Sequence, residues 1–219
     1  MSQDFRQQLE TPAPPALVNA PVKYEQMNFA QNNTLIRTFF LKLTNIFSNL
    51  LGPAGARYIS RPHGLFFSLV TQNLAVADTA TPIEFEETYL SEFIEVNAGT
   101  ETRIYAKVDG VYNFQFSGQL TSTNSSSKVV YVWIVRNGID IGYSTHAYTI
   151  SGSGTAVEIS WNFNIDLQAD DYIEFEWASA DTAVSLTAVA PATPHPGIPS
   201  AVCAVSYVAP LPINLPTPP

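Results

Sequence analysis

The sequence has little cysteine, little charge and no long apolar run. Its single cysteine, Cys203, excludes an intrachain disulfide framework and a cysteine-based zinc site, and it fits synthesis in a reducing compartment. Charged residues make up 13% of the chain, about half the usual ~25%, which excludes a long charged coiled coil. The most apolar early stretch, residues 35–51, is too short and too interrupted by polar residues to span a bilayer.

Positive charge is also scarce. The chain has 10 basic and 19 acidic residues, for a net charge of −9, which excludes binding to nucleic acid through a basic surface. The imbalance lies in residues 61–219, with five basic and sixteen acidic residues, whereas residues 1–60 carry five basic and three acidic ones. The acidic part should therefore be a solubilised domain that avoids anionic surfaces.

Proline divides the ends of the chain from its middle. Residues 1–31 contain four prolines among mixed polar residues, which predicts an extended arm. The arm either orders by lying on a partner or is a disordered terminus. Residues 209–219 hold five prolines and no charge, which predicts an extended tail.

Residues 32–52 have the apolar spacing of an amphipathic helix. Asn33 or Thr34 is the predicted N-cap, and Gly52 followed by Pro53 ends the helix before a linker over 53–63. The seam has a spacing of 4, 3, 4 and 3 residues, as in a coiled coil. Self-association about an axis is the preferred interpretation; the alternatives are packing on the chain's own β domain or on another protein. The seam residues are Ile36, Phe40, Leu43, Phe47 and Leu50.

From residue 64 to 208 the apolar period changes to two, which predicts a β-sandwich of about ten short strands. The clearest strand, 157–167, alternates strictly between apolar and polar residues. Residues 129–135 are apolar on both faces, so their second face is buried in the sandwich or at a subunit contact, which makes Tyr131 and Trp133 candidate oligomerisation residues. Asn137-Gly138 predicts a tight hairpin.

No catalytic, cofactor-binding or metal-ligating set emerges from the sequence, and we expect neither enzymatic activity nor a cofactor. His63 and His195 lack partners at metal-ligand spacing, and Cys203 alternates within an apolar strand as a small buried residue. Two carboxylate clusters are interpreted as solvated faces and turns, with calcium binding at Asp170-Asp171 as an alternative. The one candidate recognition surface is a predicted loop over 142–155 that carries Tyr143, His146 and Tyr148.

Three motifs resemble the jelly-roll heads of the complement and tumour-necrosis-factor superfamily. Residues 109–116 are similar to its D-G-x-Y-x-F-x-F strand, and residues 133–138 to its V-x-(K/R)-N-G hairpin. Residues 167–173 resemble its L-x-x-G-D-x-I turn, with Ala169-Asp170 where Ala-Gly is more usual. This resemblance covers residues 64 to 208 and implies a trimeric jelly roll.

A second resemblance covers nearly the whole chain and is to virion structural proteins of tailed, especially marine, bacteriophages. It is carried by the N-x-L-I-R-x-F-F-x-x-L-x-N helix at 33–45, by segments 57–59 and 63–68, and by 72–83 and 197–200. It implies a virion protein that is assembled in the bacterial cytoplasm and leaves its position on the particle open.

The predicted architecture is an all-β antiparallel jelly-roll sandwich, preceded by an extended arm and one short helix, and trimeric. The predicted function is that of a non-enzymatic virion structural protein, a capsid decoration or short fibre that contacts other virion proteins through its arm. An alternative is a tail-fibre tip that binds host glycans, and a less favoured one is a glycan-cleaving spike. Neither nucleic acid nor membrane is an expected partner.

Overall fold

A computed structural model describes residues 15–17, 19, 23, 26–51 and 61–211, without the side chains of residues 49–51. The chain divides into two compact units, Met1–Ser60 and Arg61–Pro219. Most of the predicted arm and linker, most of the tail and the side chain of Leu50 lie outside the described residues.

In its described part, the first unit contains one α-helix, α1 (Gln26–Leu51), of 26 residues. It begins six residues before the predicted start, so residues 26–31 are helical and do not belong to an arm. The predicted N-caps lie inside the helix, where the Thr34 hydroxyl donates a hydrogen bond to the Ala30 carbonyl (2.9 Å) and the Asn32 amide donates to Asn28 Oδ1 (3.4 Å). Such local bonds let Thr and Asn continue a helix that they otherwise tend to start. No described helix is long and apolar enough to cross a membrane.

The second unit is built from fourteen strands among its described residues, in two seven-stranded sheets. The strands are β1 (His63–Ser68), β2 (Gln72–Asn73), β3 (Thr81–Pro82), β4 (Glu87–Glu92), β5 (Ile94–Asn97), β6 (Thr100–Ala106), β7 (Gly110–Ser122), β8 (Lys128–Arg136), β9 (Ile139–Asp140), β10 (His146–Ile150), β11 (Ala156–Leu167), β12 (Tyr172–Ser179), β13 (Val184–Leu186) and β14 (Ala201–Ala209).

Sheet A has the strand order β4–β1–β14–β7–β11, with β13 pairing the end of β7 and β2 pairing β13. Sheet B has the order β10–β8–β12–β6–β5, with β3 on β12 and β9 on β8. All pairs are antiparallel.

The strand order is that of a jelly roll. Its eight strands, numbered first to eighth in chain order, are β1, β6, β7, β8, β10, β11, β12 and β14. Sheet A then holds the first, eighth, third and sixth side by side, and sheet B the second, seventh, fourth and fifth. Two interleaved Greek keys give this arrangement. The predicted antiparallel jelly-roll sandwich is therefore confirmed.

The core between the sheets is aromatic. Every second residue of the long strands points inward, as the period of two predicts, and Phe175 lies at the centre of a ring cluster. Its ring centroid is 4.6 Å from that of Phe116 and 5.9 Å from that of Phe85. Trp177 on the same strand is fully buried. These contacts join strands of sheet A to β12 of sheet B and hold the sandwich closed.

Two turn positions test the sequence interpretation. Asn137 and Gly138 have φ values of 51° and 78° and connect β8 to β9, so the predicted hairpin is confirmed. Asp170, which stands where the resembled family has glycine, adopts φ 70°. Its Oδ1 accepts a hydrogen bond from Lys107 Nζ (3.0 Å), a contact that glycine lacks.

The prediction for 139–155 was wrong in detail. The strand after the Asn137-Gly138 turn is limited to residues 139 and 140, and β10 occupies part of the loop predicted over 142–155. The sequence His-Ala-Tyr-Thr-Ile has the alternation of a strand, because Ile150 is buried and Thr149 is exposed. His146 and Tyr148 therefore belong to a strand, and Tyr143 alone lies in the loop.

Cys203 should be unreactive toward thiol reagents in the folded chain. It is fully buried in β14, and burial raises the pKa of its thiol far above the ordinary value, so the reactive thiolate does not form. We expect negligible reaction with a thiol reagent such as Ellman's reagent in buffer, and one equivalent after unfolding in guanidinium. Stoichiometric reaction of the native protein would contradict the packing of β14.

Candidate functional site

A cleft opens at one side of the sandwich, where edge strand β11 of sheet A faces β8, β9 and the segment that leads into β10. We call it the edge cleft. Its volume is about 760 Å³, within the usual range of ~300–1,000 Å³ for small-molecule sites. Both sheets end at this side, because β10 and β11 are terminal strands. The residues that line it are Ile134, Arg136, Asn137, Ile139, Asp140, Ile141, Gly142, Tyr143, Ser144, His146, Trp161, Asn162, Phe163, Asn164, Ile165 and Asp166.

Aromatic side chains form one end of the edge cleft. His146 on β10 stacks on Trp161 of β11, with ring centroids 4.9 Å apart and an interplanar angle of 21°. Behind this pair the Tyr148 hydroxyl donates to the Ser160 carbonyl (3.4 Å). Phe163 is half-buried and stacks on Phe114 of β7 (5.3 Å). Rings from both sheets thus meet at the open side of the sandwich.

Charged groups at the other end are already engaged. Arg136 Nη1 donates to the Asp166 carbonyl (3.0 Å) and lies 3.4 Å from Asp166 Oδ2. Asp140 Oδ1 accepts a hydrogen bond from Trp133 Nε1 (2.9 Å). The Ser144 hydroxyl accepts from the Ile134 N–H (3.1 Å) and donates to the Ile141 carbonyl (2.8 Å), which anchors the loop that bears Tyr143.

Of the predicted recognition residues, Tyr143 and His146 line the edge cleft, whereas Tyr148 is not among its lining residues and bonds to Ser160. Tyr143 is fully exposed and has a positive φ of 62°. Sequence reasoning missed the contribution of β11, because the parity of Trp161 and Phe163 assigned them to the core. The signal was their position on a strand that no other strand covers, which only the sheet order reveals.

The outer face of sheet A is free of charge across three adjacent strands, β1, β14 and β7. We call these positions the uncharged face; none is Asp, Glu, Lys or Arg. Register puts Leu65 beside Leu90 and Ala204, and Phe67 beside Val202, so its β1 side is apolar. Its members are His63, Leu65, Phe67, Val111, Asn113, Gln115, Ser117, Gln119, Thr121, Val202, Ala204, Ser206 and Val208.

Toward β11 the same surface becomes an amide ladder. Gln115 Nε2 donates to Asn113 Oδ1 (3.2 Å), and Asn113 Nδ2 donates to Asn164 Oδ1 (2.9 Å). Acidic residues on this face lie on the flanking strands β4 and β11. A surface without formal charge is notable in a unit with sixteen acidic residues, because interface centres are depleted of charge.

The predicted helical seam is largely exposed in a single copy. Phe40 and Phe47 are 58% and 51% exposed, and Ile36 and Leu43 are half-buried. Met27, Phe29 and Leu41 on the same helix are also exposed. The helix therefore presents apolar surface on more than one side, and the proposed assembly through it stays a prediction.

The other two predicted oligomerisation residues lie on the outer face of sheet B. Tyr131 is 47% exposed and Trp133 is half-buried beside Glu176. The neighbouring Glu174 is buried and accepts hydrogen bonds from Thr102 Oγ1 (2.8 Å) and Arg103 Nε (3.1 Å). Because Trp133 lies beside Glu176 and donates a hydrogen bond to Asp140, this face suits self-association less well than the uncharged face does.

Asp170 and Asp171, which the sequence offered as an alternative calcium site, are bound by donors from the protein. Asp171 Oδ1 accepts from Asn137 Nδ2 (2.7 Å) and Oδ2 from the Gln168 N–H (2.8 Å). Lys107 pairs with Asp170. These bonds connect the turn to the β8–β9 hairpin and give the carboxylates a structural role.

Glu176 should destabilise the fold at neutral pH. Burial, together with the charges of Asp140 and Glu174, raises its pKa. The folded state therefore favours the protonated form of Glu176. The protonated side chain stabilises the fold at low pH, and this contribution is lost as the pH rises through the raised pKa. We expect Glu176→Gln to increase the urea midpoint at pH 7, with a difference that shrinks toward zero as the pH is lowered below the ordinary range for glutamate.

Glu174→Gln is the matched control, because that carboxylate has two protein donors and a partner cation. It should lower the urea midpoint at pH 7. Equal effects of the two substitutions would contradict the assigned environments.

The chain has matches among solved structures but not among family models or curated sequences. No protein-family model matches the chain, and no curated protein matches it in sequence. Among solved structures, the chain is similar to the globular domain of zebrafish complement 1qA protein, with 14% sequence identity and a TM-score of 0.46. That alignment covers 69% of this chain and 100% of that chain. The jelly-roll assignment itself rests on the strand order of sheets A and B.

Proposed function

We propose that the protein is a non-enzymatic virion structural protein of a tailed bacteriophage, a capsid decoration or short fibre in which three copies associate and display their jelly-roll heads. The residues that precede the head attach the assembly to other virion proteins. The tailed-phage part of the proposal comes from the sequence resemblance at 33–45 and 63–68.

The observation that carries self-association is the uncharged face. A unit with sixteen acidic and five basic residues repels its own copies wherever acidic surfaces meet. Contact through β1, β14 and β7 avoids that repulsion and buries Leu65, Phe67 and Val202. Amide side chains such as Gln115 pair without a net charge at the rim of such a contact.

The helix supplies a second contact of the same kind. Its exposed Phe40 and Phe47 recur at the seven-residue interval of a coiled-coil seam. A single amphipathic helix is stabilised chiefly by packing of its apolar face. A parallel bundle of helices and a ring of heads have compatible symmetry about one axis.

Immunogold labelling of gradient-purified particles tests the virion assignment. An antibody against the head should label intact particles at regular positions on the capsid or at a fibre. Deletion of residues 1–25, which precede α1, should leave the protein soluble and folded but absent from particles. A protein that is missing from purified particles, or that attaches equally well without residues 1–25, would contradict the proposal.

A further inference from the structure

We propose that the edge cleft is a binding site for a neutral oligosaccharide. The inference deepens the display function by naming what the head binds, and it rests on that function only for its biological setting. The described lining residues belong to a single head, so the test below measures binding and assembly separately.

Strand β11 has backbone groups that no described residue binds, because it is the last strand of sheet A on this side. The Ser160 and Asp166 carbonyls point away from β7, because they accept hydrogen bonds from Tyr148 and Arg136 across the edge. Backbone groups alternate in direction along a strand, so the N–H and C=O of Asn162 and Asn164 point the same way. No described residue pairs with them. The edge cleft therefore offers two donors and two acceptors in a fixed row.

The length of this row selects the ligand class. Tyr148 closes it at Ser160 and Arg136 closes it at Asp166, which leaves about 20 Å of strand between the two carbonyls. Only Asn162 and Asn164 are free within it. An added peptide strand normally pairs with a longer uninterrupted series of backbone groups than these two residues supply. Sugar hydroxyls both donate and accept, so a short oligosaccharide satisfies paired N–H and C=O groups without needing a continuous edge.

The aromatic end of the edge cleft supplies the apolar contact that a sugar ring needs. His146 is exposed and is held flat against Trp161. Phe163 contributes a half-buried ring that is fixed by Phe114. Rigid rings next to fixed polar groups are the arrangement that small-ligand sites use for orientation and affinity.

Charge argues for a neutral ligand. The lining contains one cation, Arg136, and two anions, Asp140 and Asp166. The cation is occupied by Asp166, and Asp140 is held by Trp133. A net charge of −1, in a head rich in acidic residues, repels sialylated and sulfated sugars and leaves no spare cation to bind them.

A glycan microarray with the labelled full chain tests the proposal, using neutral, sialylated and sulfated oligosaccharides beside an array of linear peptides. Wild-type protein should bind a subset of the neutral glycans. His146→Ala should weaken that binding by about tenfold or more, because it removes the exposed ring of the stacked pair. His195→Ala is the matched control, since it removes an exposed histidine outside the edge cleft.

Asn162→Arg provides a second variant, because a long side chain at the free edge obstructs the row of backbone groups. It should abolish neutral-glycan binding while the circular dichroism spectrum stays unchanged. No glycan binding, preference for charged sugars, binding of peptides instead, or equal losses in His146→Ala and His195→Ala would each overturn the proposal. The mass of the same samples is measured by light scattering. A trimer mass without sugar binding rejects the edge cleft alone, whereas sugar binding by a monomer rejects the assembly alone.

Discussion

Phe175→Ala should lower the free energy of unfolding by about 3–5 kcal/mol, the range for removing a fully buried phenylalanine ring. Phe175 is 0% exposed and lies among Phe85, Phe116, Trp161 and Phe163, with centroid distances from 4.6 to 6.0 Å. Phe116, Trp161 and Phe163 lie on sheet A, whereas Phe175 lies on β12 of sheet B, so the cavity loosens the contact that closes the sandwich. Guanidinium unfolding followed by circular dichroism measures the loss.

Tyr89→Ala is the control for that experiment. Tyr89 is an aromatic residue on β4 but is 74% exposed, and its removal should change the free energy of unfolding by less than about 0.5 kcal/mol. In the Phe175→Ala variant, Trp161 also loses the ring that packs against it, so ligand binding in the edge cleft should weaken. A Phe175→Ala protein as stable as wild type would contradict the aromatic core.

Phe40→Asp should convert the assembly to single chains at micromolar concentration without unfolding the head. Phe40 is 58% exposed in one copy, so the substitution costs little within that copy. In a three-helix seam it brings three unpaired carboxylates together in apolar surroundings, which is strongly unfavourable. Sedimentation velocity should show one species of about 24 kDa, with the β-sheet signal of the head retained.

Thr38→Asp is the matched control on the same helix. It introduces the same charge at an exposed position that is two residues away and lies on the side of the helix opposite the seam. It should leave the mass of the assembly unchanged. If both substitutions dissociate the chains, net charge and not the seam controls assembly; if neither does, the helix is not the assembly element.

The head was predictable because its strands alternate so regularly. Val157 to Leu167 alternates over eleven residues, and β11 occupies that range with one added residue at its start. The Asn137-Gly138 hairpin was also predictable, because a turn with positive φ at both central positions favours Asn followed by Gly. Local sequence determines such features, and tertiary packing adds little to them.

Three features depended on information that the sequence pattern does not contain. The helix begins at Gln26 and continues through Asn32 and Thr34, whose side chains bond to the preceding turn although both residue types favour caps. The edge cleft exists because β10 and β11 end their sheets, so inward-facing Trp161 and Phe163 are only partly covered. The uncharged face becomes visible only after register aligns β1, β14 and β7, since each contributes a short polar or apolar series that is unremarkable alone.

Sedimentation equilibrium of the full-length chain tests the central claim most directly, because both the uncharged face and the helix are assigned to self-association. One chain has a mass of 23.9 kDa. We expect a single species of about 72 kDa, three times that mass, across a tenfold range of concentration. A stable species of about 24 kDa over the same range would contradict it.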